Sequence, residues 1–367
     1  MDWDEHKALL ALNGVPGLGP ERIRFLAGEA GSAVEVVRSP AFWNGRLPTH
    51  PLPPREDDLW SLACGEEDSL RRTGARAVCW CDPGFPPALR HLDHPPPVLT
   101  VLGALEPLQD ERLRIAIVGA RACTPYGRAQ AARFGSLLAG AGVGIVSGAA
   151  RGIDQAAMAG AVDQSGAVVG ILGSGLDRPY PPEARRLLSA MLACGGTVLS
   201  EFPSGTPPRR GNFPRRNRLL AALVRGVLVV QATEKSGSML TVGWALNLGR
   251  DVFALPGPVD CIASRGPHKL LSEGAILADS PASILAHYRT PMPEAPGGPE
   301  EPPLLRLLAG GSRTLEDLSA ASGEPAEKVL LELVELELSG RVLRLPGGLY
   351  HRCGPGPASR PVSPFPA

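Results

Sequence analysis

At 367 residues the chain is long enough for one sizeable α/β core with one or two small modules beside it. Its 37 Lys and Arg against 37 Asp and Glu give a formal net charge of +0, which excludes a uniformly basic nucleic-acid coat and makes any polyanion site a local one. Its 7 cysteines are scattered rather than framed as disulfides, the N-terminus Met1-Asp2-Trp3-Asp4-Glu5 has no basic or apolar leader, and no apolar run reaches bilayer length, so the expectation is a cytoplasmic protein with no membrane partner.

The first segment, residues 1–46, reads as a small helical domain, helix-hairpin-helix or SAM-like. Apolar stretches from Leu9 to Val37 flank Gly14-Val15-Pro16-Gly17-Leu18-Gly19-Pro20, where bare glycine backbone lets turn amides approach a DNA phosphate. A plain tight turn in a helical packing domain fits the same residues. A Pro-rich joint follows at Arg46 to Arg55 and a second at Pro291 to Pro303, which sets the domain boundaries. Beyond the first joint, Cys79-x-Cys81 is the only close cysteine pair, and without a second pair at metal-ligand spacing it reads as core.

Residues 75–290 alternate short β-branched runs with amphipathic stretches. Ile115 to Val118, Val143 to Val146, Ala167 to Leu172, Thr197 to Leu199, Val227 to Val230 and Asp251 to Ala254 read as buried strands. The pattern specifies an α/β fold, a Rossmann-like, doubly wound and mainly parallel sheet with helices on both faces. Ligands of such sheets bind beyond the carboxyl ends of the strands. The turns expected there are Gly119 to Gly127, Ser147 to Asp154, Gly173 to Asp177, Ser200-Glu201 and Ser236 to Thr241. They offer bare backbone, hydroxyls and planar guanidinium forks.

The densest of these signals is Phe213-Pro214-Arg215-Arg216-Asn217-Arg218, which opens an apolar helix, with no Asp or Glu between Pro203 and Arg225. Arg209, Arg210 and Arg225 extend the run. It reads either as an anion site, aided by the helix N-terminus, or as a solvated basic turn. No G-x-G-x-x-G follows the first strand and no G-x-x-x-x-G-K-[ST] occurs, so neither a dinucleotide cofactor nor P-loop hydrolysis is indicated. Cys123 beside Arg121 has no histidine partner and reads as a small packing residue, and His268 and His287 are isolated. No cofactor and no metal ligand is expected.

The C-terminal segment, residues 303–352, reads as three helices at Leu304 to Leu308, Thr314 to Leu318 and Ala326 to Leu338, with Thr314 as an N-cap, followed by a two-stranded wing from Gly340 to Tyr350. This is a winged-helix pattern. Its last helix carries Glu324, Glu327, Glu332, Glu335 and Glu337 against a lone Lys328, which suits a protein partner better than a DNA groove. Residues 353–367 read as a disordered, Pro-rich tail.

Taken in order, Phe85-Pro86, Gly119-Ala120-Arg121, Ser147-Gly148 with Gly152-Ile153-Asp154, Gly175-x-Asp177 with Tyr180-Pro181, Ser200-Glu201, Phe213-Pro214-x-Arg216-Asn217-Arg218, Ser236-Gly237-Ser238 with Thr241 and Phe253 to Gly257 resemble the bacterial DNA-processing protein A family, also called Smf. The resemblance covers residues 80 to 285. It implies a protein of natural transformation that binds incoming single-stranded DNA, forms a homodimer through its Rossmann-like domain and helps load the RecA recombinase. Departures fall at Met158, Ala184 and His268, while the arginine and glycine positions are intact. The DNA-binding residues so implied are Gly119, Arg121, Gly148, Arg215, Arg216, Asn217, Arg218, Ser236, Gly237, Ser238 and Thr241, with Phe213 and Tyr126 as stacking platforms, and binding proceeds without bond-making. The rival is a nucleotide phosphoribohydrolase on a similar sheet. Trp244 stands where its catalytic carboxylate belongs, which leaves Glu201 as the central acid.

Overall fold

Local chemistry sets the helices that open the chain. Helix α1 (Glu5–Gly14) starts at Asp4, whose carboxylate accepts the Lys7 N–H, and α2 (Pro20–Ala30) has proline in its first turn and left-handed Gly31 after its last. Helix α3 (Ala33–Arg38) is capped by Ser32, and the Glu5 carboxylate accepts its Ala33 and Val34 N–H groups. Helix α4 (Glu56–Thr73) contributes Leu59 and Ala63 to an apolar cluster with Leu9, Leu12, Ile23, Leu26 and Val36. Cys79 and Val98 join that cluster, so these helices lean on the first strands of the sheet.

The computed structural model describes residues 1–39, 43, 55–164, 166–291, 302–308, 311–338, 341–345 and 347–352. Of the joint expected at Arg46 to Arg55 only Arg55 is among them, and the tail from Cys353 is outside them. The chain divides into two compact units, one built on Met1–Pro291 and the other on Met292–Arg360.

In the first unit the chain continues through β1 (Arg76–Cys79), α5 (Pro87–Arg90), β2 (Val98–Gly103), α6 (Glu106–Gln109), β3 (Arg114–Val118), α7 (Pro125–Gly140), β4 (Gly144–Ser147), α8 (Ile153–Val162), β5 (Val168–Ile171), α9 (Ala184–Ala193) and β6 (Thr197–Ser200). It goes on through α10 (Asn212–Ala222), β7 (Gly226–Val229), α11 (Gly237–Asn247), β8 (Asp251–Ala254), α12 (Arg265–Ser272), β9 (Ile276–Leu277) and α13 (Pro281–His287). The strand order is β1-β2-β6-β5-β4-β3-β7-β8-β9. From β6 to β9 every pairing is parallel, whereas β1 and β2 form an antiparallel margin against β6. The six β-branched runs are strands as expected, and the sheet is Rossmann-like and doubly wound.

Each face of the sheet has its own core. Ile115, Ile117, Ile145 and Val168 turn toward Phe134 and Leu138 of α7, Ile153 and Ala157 of α8 and Leu188 of α9. Ala116, Val118, Val146 and Val169 turn the other way, toward Leu219 to Leu223 of α10 and Val242 and Ala245 of α11. That alternation is the strand period of two with both faces covered. Helices α7 and α8 lie backbone to backbone, because a Cβ at Gly135 would overlap the Ala157 carbonyl and one at Gly160 the Ala132 carbonyl.

The second unit has a winged-helix arrangement: α14 (Pro303–Leu307), β10 (Arg313–Thr314), α15 (Leu315–Ser322), α16 (Ala326–Leu338), β11 (Val342–Leu345) and β12 (Leu349–Arg352). Thr314 does cap α15, with Asp317 returning the bond. The wing pairs as β10-β12-β11, so the short strand before α15 joins the expected hairpin. Leu304, Leu305, Leu318, Val329 and Leu333 form its core.

Candidate functional site

Helix α10 stands over the carboxyl ends of the parallel strands, and three consecutive side chains leave it in three directions. A helix turns about 100° per residue, so neighbours cannot share a target. Arg216 reaches the Gly148 carbonyl at 2.8 Å and the Ile171 carbonyl, at the ends of β4 and β5. Asn217 donates from Nδ2 to the Gly237 carbonyl at 3.3 Å, at the start of α11. Arg218 donates to the Glu201 carboxylate after β6 and, at 3.0 Å, to the His94 carbonyl before β2. All three are buried.

Sequence reasoning took the run between Pro203 and Arg225 as free of acid and placed Arg216 and Arg218 on phosphate. In the folded chain Glu201, just outside that run, pairs with Arg218 and lies 3.4 Å from Arg215, and its own side chain is only 1% exposed. Arg216 has its counter-charge in Asp154, whose Oδ2 accepts the Gly148 and Ala150 N–H groups at 3.1 and 3.4 Å. Burial pulls the Arg216 guanidinium down to about 10 against the field of Asp154, so it stays charged at neutral pH. Burial likewise raises Asp154, opposed by Arg216, and lowers Arg218, opposed by Glu201. Both arginines therefore brace the strand ends from within.

Other groups face solvent. Arg121, on the turn between β3 and α7, is exposed and lies with its guanidinium carbon 5.0 Å from the Phe213 ring centroid. Tyr180 meets the same ring at 6.0 Å. With Gly148, Ala150, Arg151 and Pro181 these three side chains line one small concavity. A Cβ at Gly148 would overlap the Arg216 guanidinium, so the bare backbone there is a packing requirement as well as an opening. Ala149 beside it is buried in left-handed backbone, φ 55°, a conformation that favours glycine. Arg215 is half-exposed over Phe202, its guanidinium carbon 5.1 Å from the ring, and Arg209 and Arg210 are exposed on the approach to α10. Arg225 precedes β7 and stacks near Tyr288, at the opposite end of the strands.

The remaining expected residues divide the same way. Gly119 is wedged where a Cβ would meet the Gln231 carbonyl and Ile153 at 2.7 Å. Ser236 caps α11, accepting the Ser238 N–H, with the two hydroxyls 2.8 Å apart; Gly237 is exposed and Thr241 buried. Tyr126 is 41% exposed and donates to the Pro256 carbonyl at 3.2 Å. Of the departures, Met158 and Ala184 are buried, and His268 Nε2 lies 3.0 Å from the Gly257 carbonyl.

Two contributors were missed. Buried Gln231 accepts the Thr124 N–H at 3.0 Å and donates to Thr124 Oγ1 at 2.9 Å, which fixes the start of α7 and hence the Arg121 turn. Its signal was a glutamine closing an apolar strand, where a polar group needs a partner. Glu66 of α4 accepts Ser204 N and Oγ, pinning the loop that leads to α10, while burial raises its carboxyl against those bonds. A surface-like acid in a helix gave no signal.

Comparison with known proteins places these features in context. A family model described as DNA recombination-mediator protein A matches residues 76–289, and one described as DprA winged helix domain matches residues 289–348. The chain is 38% identical over 278 residues to Protein Smf of Escherichia coli K12, covering 72% of this chain and 74% of that one. It is 38% identical over 207 residues to DNA processing protein DprA of Streptococcus pneumoniae R6, covering 56% and 72%. The solved DprA structure from Streptococcus pneumoniae matches with a TM-score of 0.61 at 29% identity, over 78% of this chain and 98% of that one. The structure describing the single-stranded DNA binding mode of DprA from Helicobacter pylori matches with a TM-score of 0.53 at 30% identity, over 59% and 97%.

Proposed function

The chain belongs to the DNA recombination-mediator protein A family, and from that premise we propose that it binds single-stranded DNA across the rim at the carboxyl ends of β3, β4 and β5, without making or breaking a bond. The observation that carries this reading is the exposed Arg121 guanidinium stacked on Phe213 beside Tyr180, above the open backbone of Gly148. Arginine supplies charge for a phosphate and a flat face for a base, and the rings supply sequence-tolerant stacking. In this division of labour Arg121, Arg151, Arg215, Arg209 and Arg210 meet the strand, while Arg216, Asn217 and Arg218 hold the rim in shape.

The reading extends to handing the strand to the RecA recombinase during natural transformation. It is supported by the family's description as a recombination mediator and by relatives named DNA processing proteins. We also propose self-association through one side of α11, where Leu240 and Leu246 are 50% and 63% exposed with Gly243 between them. The Rossmann-like domain, residues 75–290, carries the DNA in this scheme, and residues 1–46 and 303–352 flank it. Among the described residues no helix is long and apolar enough to cross a membrane. Against the phosphoribohydrolase reading stands Glu201, whose carboxylate is taken up by Arg218 and Arg215.

Fluorescence anisotropy with a labelled oligothymidylate and a duplex of equal length, titrated over salt, tests the binding. Tight, salt-dependent binding of the single strand that weakens in Arg121→Ala is the expected result. Equal binding by both proteins at every salt concentration refutes it.

A further inference from the structure

We propose that the first turn of α1 and the turn leaving β1 together form a zinc site, with His6 Nδ1, Cys79 Sγ and an Asp82 oxygen as ligands and Cys81 Sγ as the fourth. In the sequence Cys79-x-Cys81 has no second pair at ligand spacing. Folding supplies the missing donor from the other end of a long loop, since His6 lies 73 residues before Cys79 in the chain and next to it in space.

The donor atoms of His6, Cys79 and Asp82 all lie within 4.8 Å of one another. Zinc bonds of about 2.0 Å to nitrogen or oxygen and about 2.3 Å to sulfur place tetrahedral ligands about 3.5 Å apart, so closure by roughly an ångström completes the site. His6 Nδ1 already sits 3.2 Å from Asp82 Oδ2, and Cys81 Sγ 3.7 Å from Asp82 Oδ1. Cys81 is exposed and lies outside that trio of donors, while Cys79 is buried in the cluster that joins α1 to the sheet.

The turn is held in place before any ion arrives. The Asp82 N–H bonds the Cys79 carbonyl at 2.9 Å, the Cys79 N–H bonds Asp82 Oδ2 at 2.7 Å, and Arg90 donates to the Trp80 and Asp82 carbonyls at 2.6 and 2.7 Å. Two sulfurs, an imidazole and a carboxylate suit zinc rather than calcium or magnesium. On binding, the two thiols release their protons to solvent. The ion would fasten α1 onto the exit of β1.

Cobalt(II) titration of the chelator-stripped full-length protein is the test, read by the thiolate-to-cobalt charge-transfer band, with zinc competition and melting temperature alongside. One equivalent of cobalt with that band, displaced by zinc, and a melting temperature that zinc raises are the expected results. Cys79→Ser and the half-exposed His6→Gln should each weaken cobalt binding by at least the ~10–100-fold seen for lost supporting partners. Cys81→Ser should shift the band. Absence of a stoichiometric band in the wild type, or full retention in folded His6→Gln, overturns the site, and an unchanged spectrum in Cys81→Ser overturns the fourth ligand.

Discussion

Arg218 and Glu201 pair inside the protein, with side chains only 9% and 1% exposed, beside the half-exposed Arg215 of the same helix. A buried pair of this kind is costly to break from one side, because the surviving charge is left in the interior. Arg218→Ala should therefore lower the unfolding free energy by about 3–5 kcal/mol in urea titration. The double variant Arg218→Met with Glu201→Gln should lose less than the sum of the single variants.

Arg121 has no such burden. Its replacement by alanine should leave the melting temperature within a degree or two while weakening single-stranded DNA binding by roughly tenfold, the loss of one phosphate contact and one cation–π contact. The slope of log affinity on log salt should shrink by about 0.7. Anisotropy titrations at several salt concentrations measure both quantities.

Gly148→Ala tests whether the glycine serves packing. Its methyl group would occupy the space of the Arg216 guanidinium, which is held by the Gly148 and Ile171 carbonyls. Overpacking of this sort costs about 1–3 kcal/mol. A melting temperature equal to wild type would show that Arg216 moves aside freely.

Glu66 gives the molecule a pH signature. Its carboxyl is raised by burial above the ordinary glutamate value, so in the window between that value and the raised one the folded chain holds a proton that the unfolded chain has lost. Stability contributed by this group is present below the window and lost as pH rises through it. The melting temperature of Glu66→Gln relative to wild type should accordingly climb with pH across that window and then level off.

Six of the seven strands in the parallel run were legible, because buried strands bounded by glycine turns leave few alternatives. Strands β1, β2 and β9 were not read as strands, being short or lying beside proline-rich turns at the margins. The roles of the arginines were the harder part. Helix α10 is apolar on most sides after Arg218, so its pattern does not say which of Arg215, Arg216 and Arg218 turns inward, and the acid that decides the matter, Glu201, sits before an intervening loop. Gln231 and Glu66 act through partners 107 and 138 residues away, separations at which local pattern is silent.

The lateral margins of the sheet differ: β1 spans four residues, as many as β4 to β8, and opens with Arg76, which is tied to the Gly103 carbonyl at 2.8 Å, whereas β9 spans two. The β9 margin offers a visiting chain almost no ladder to extend, so copies of this protein are disfavoured from zippering edge to edge through that side.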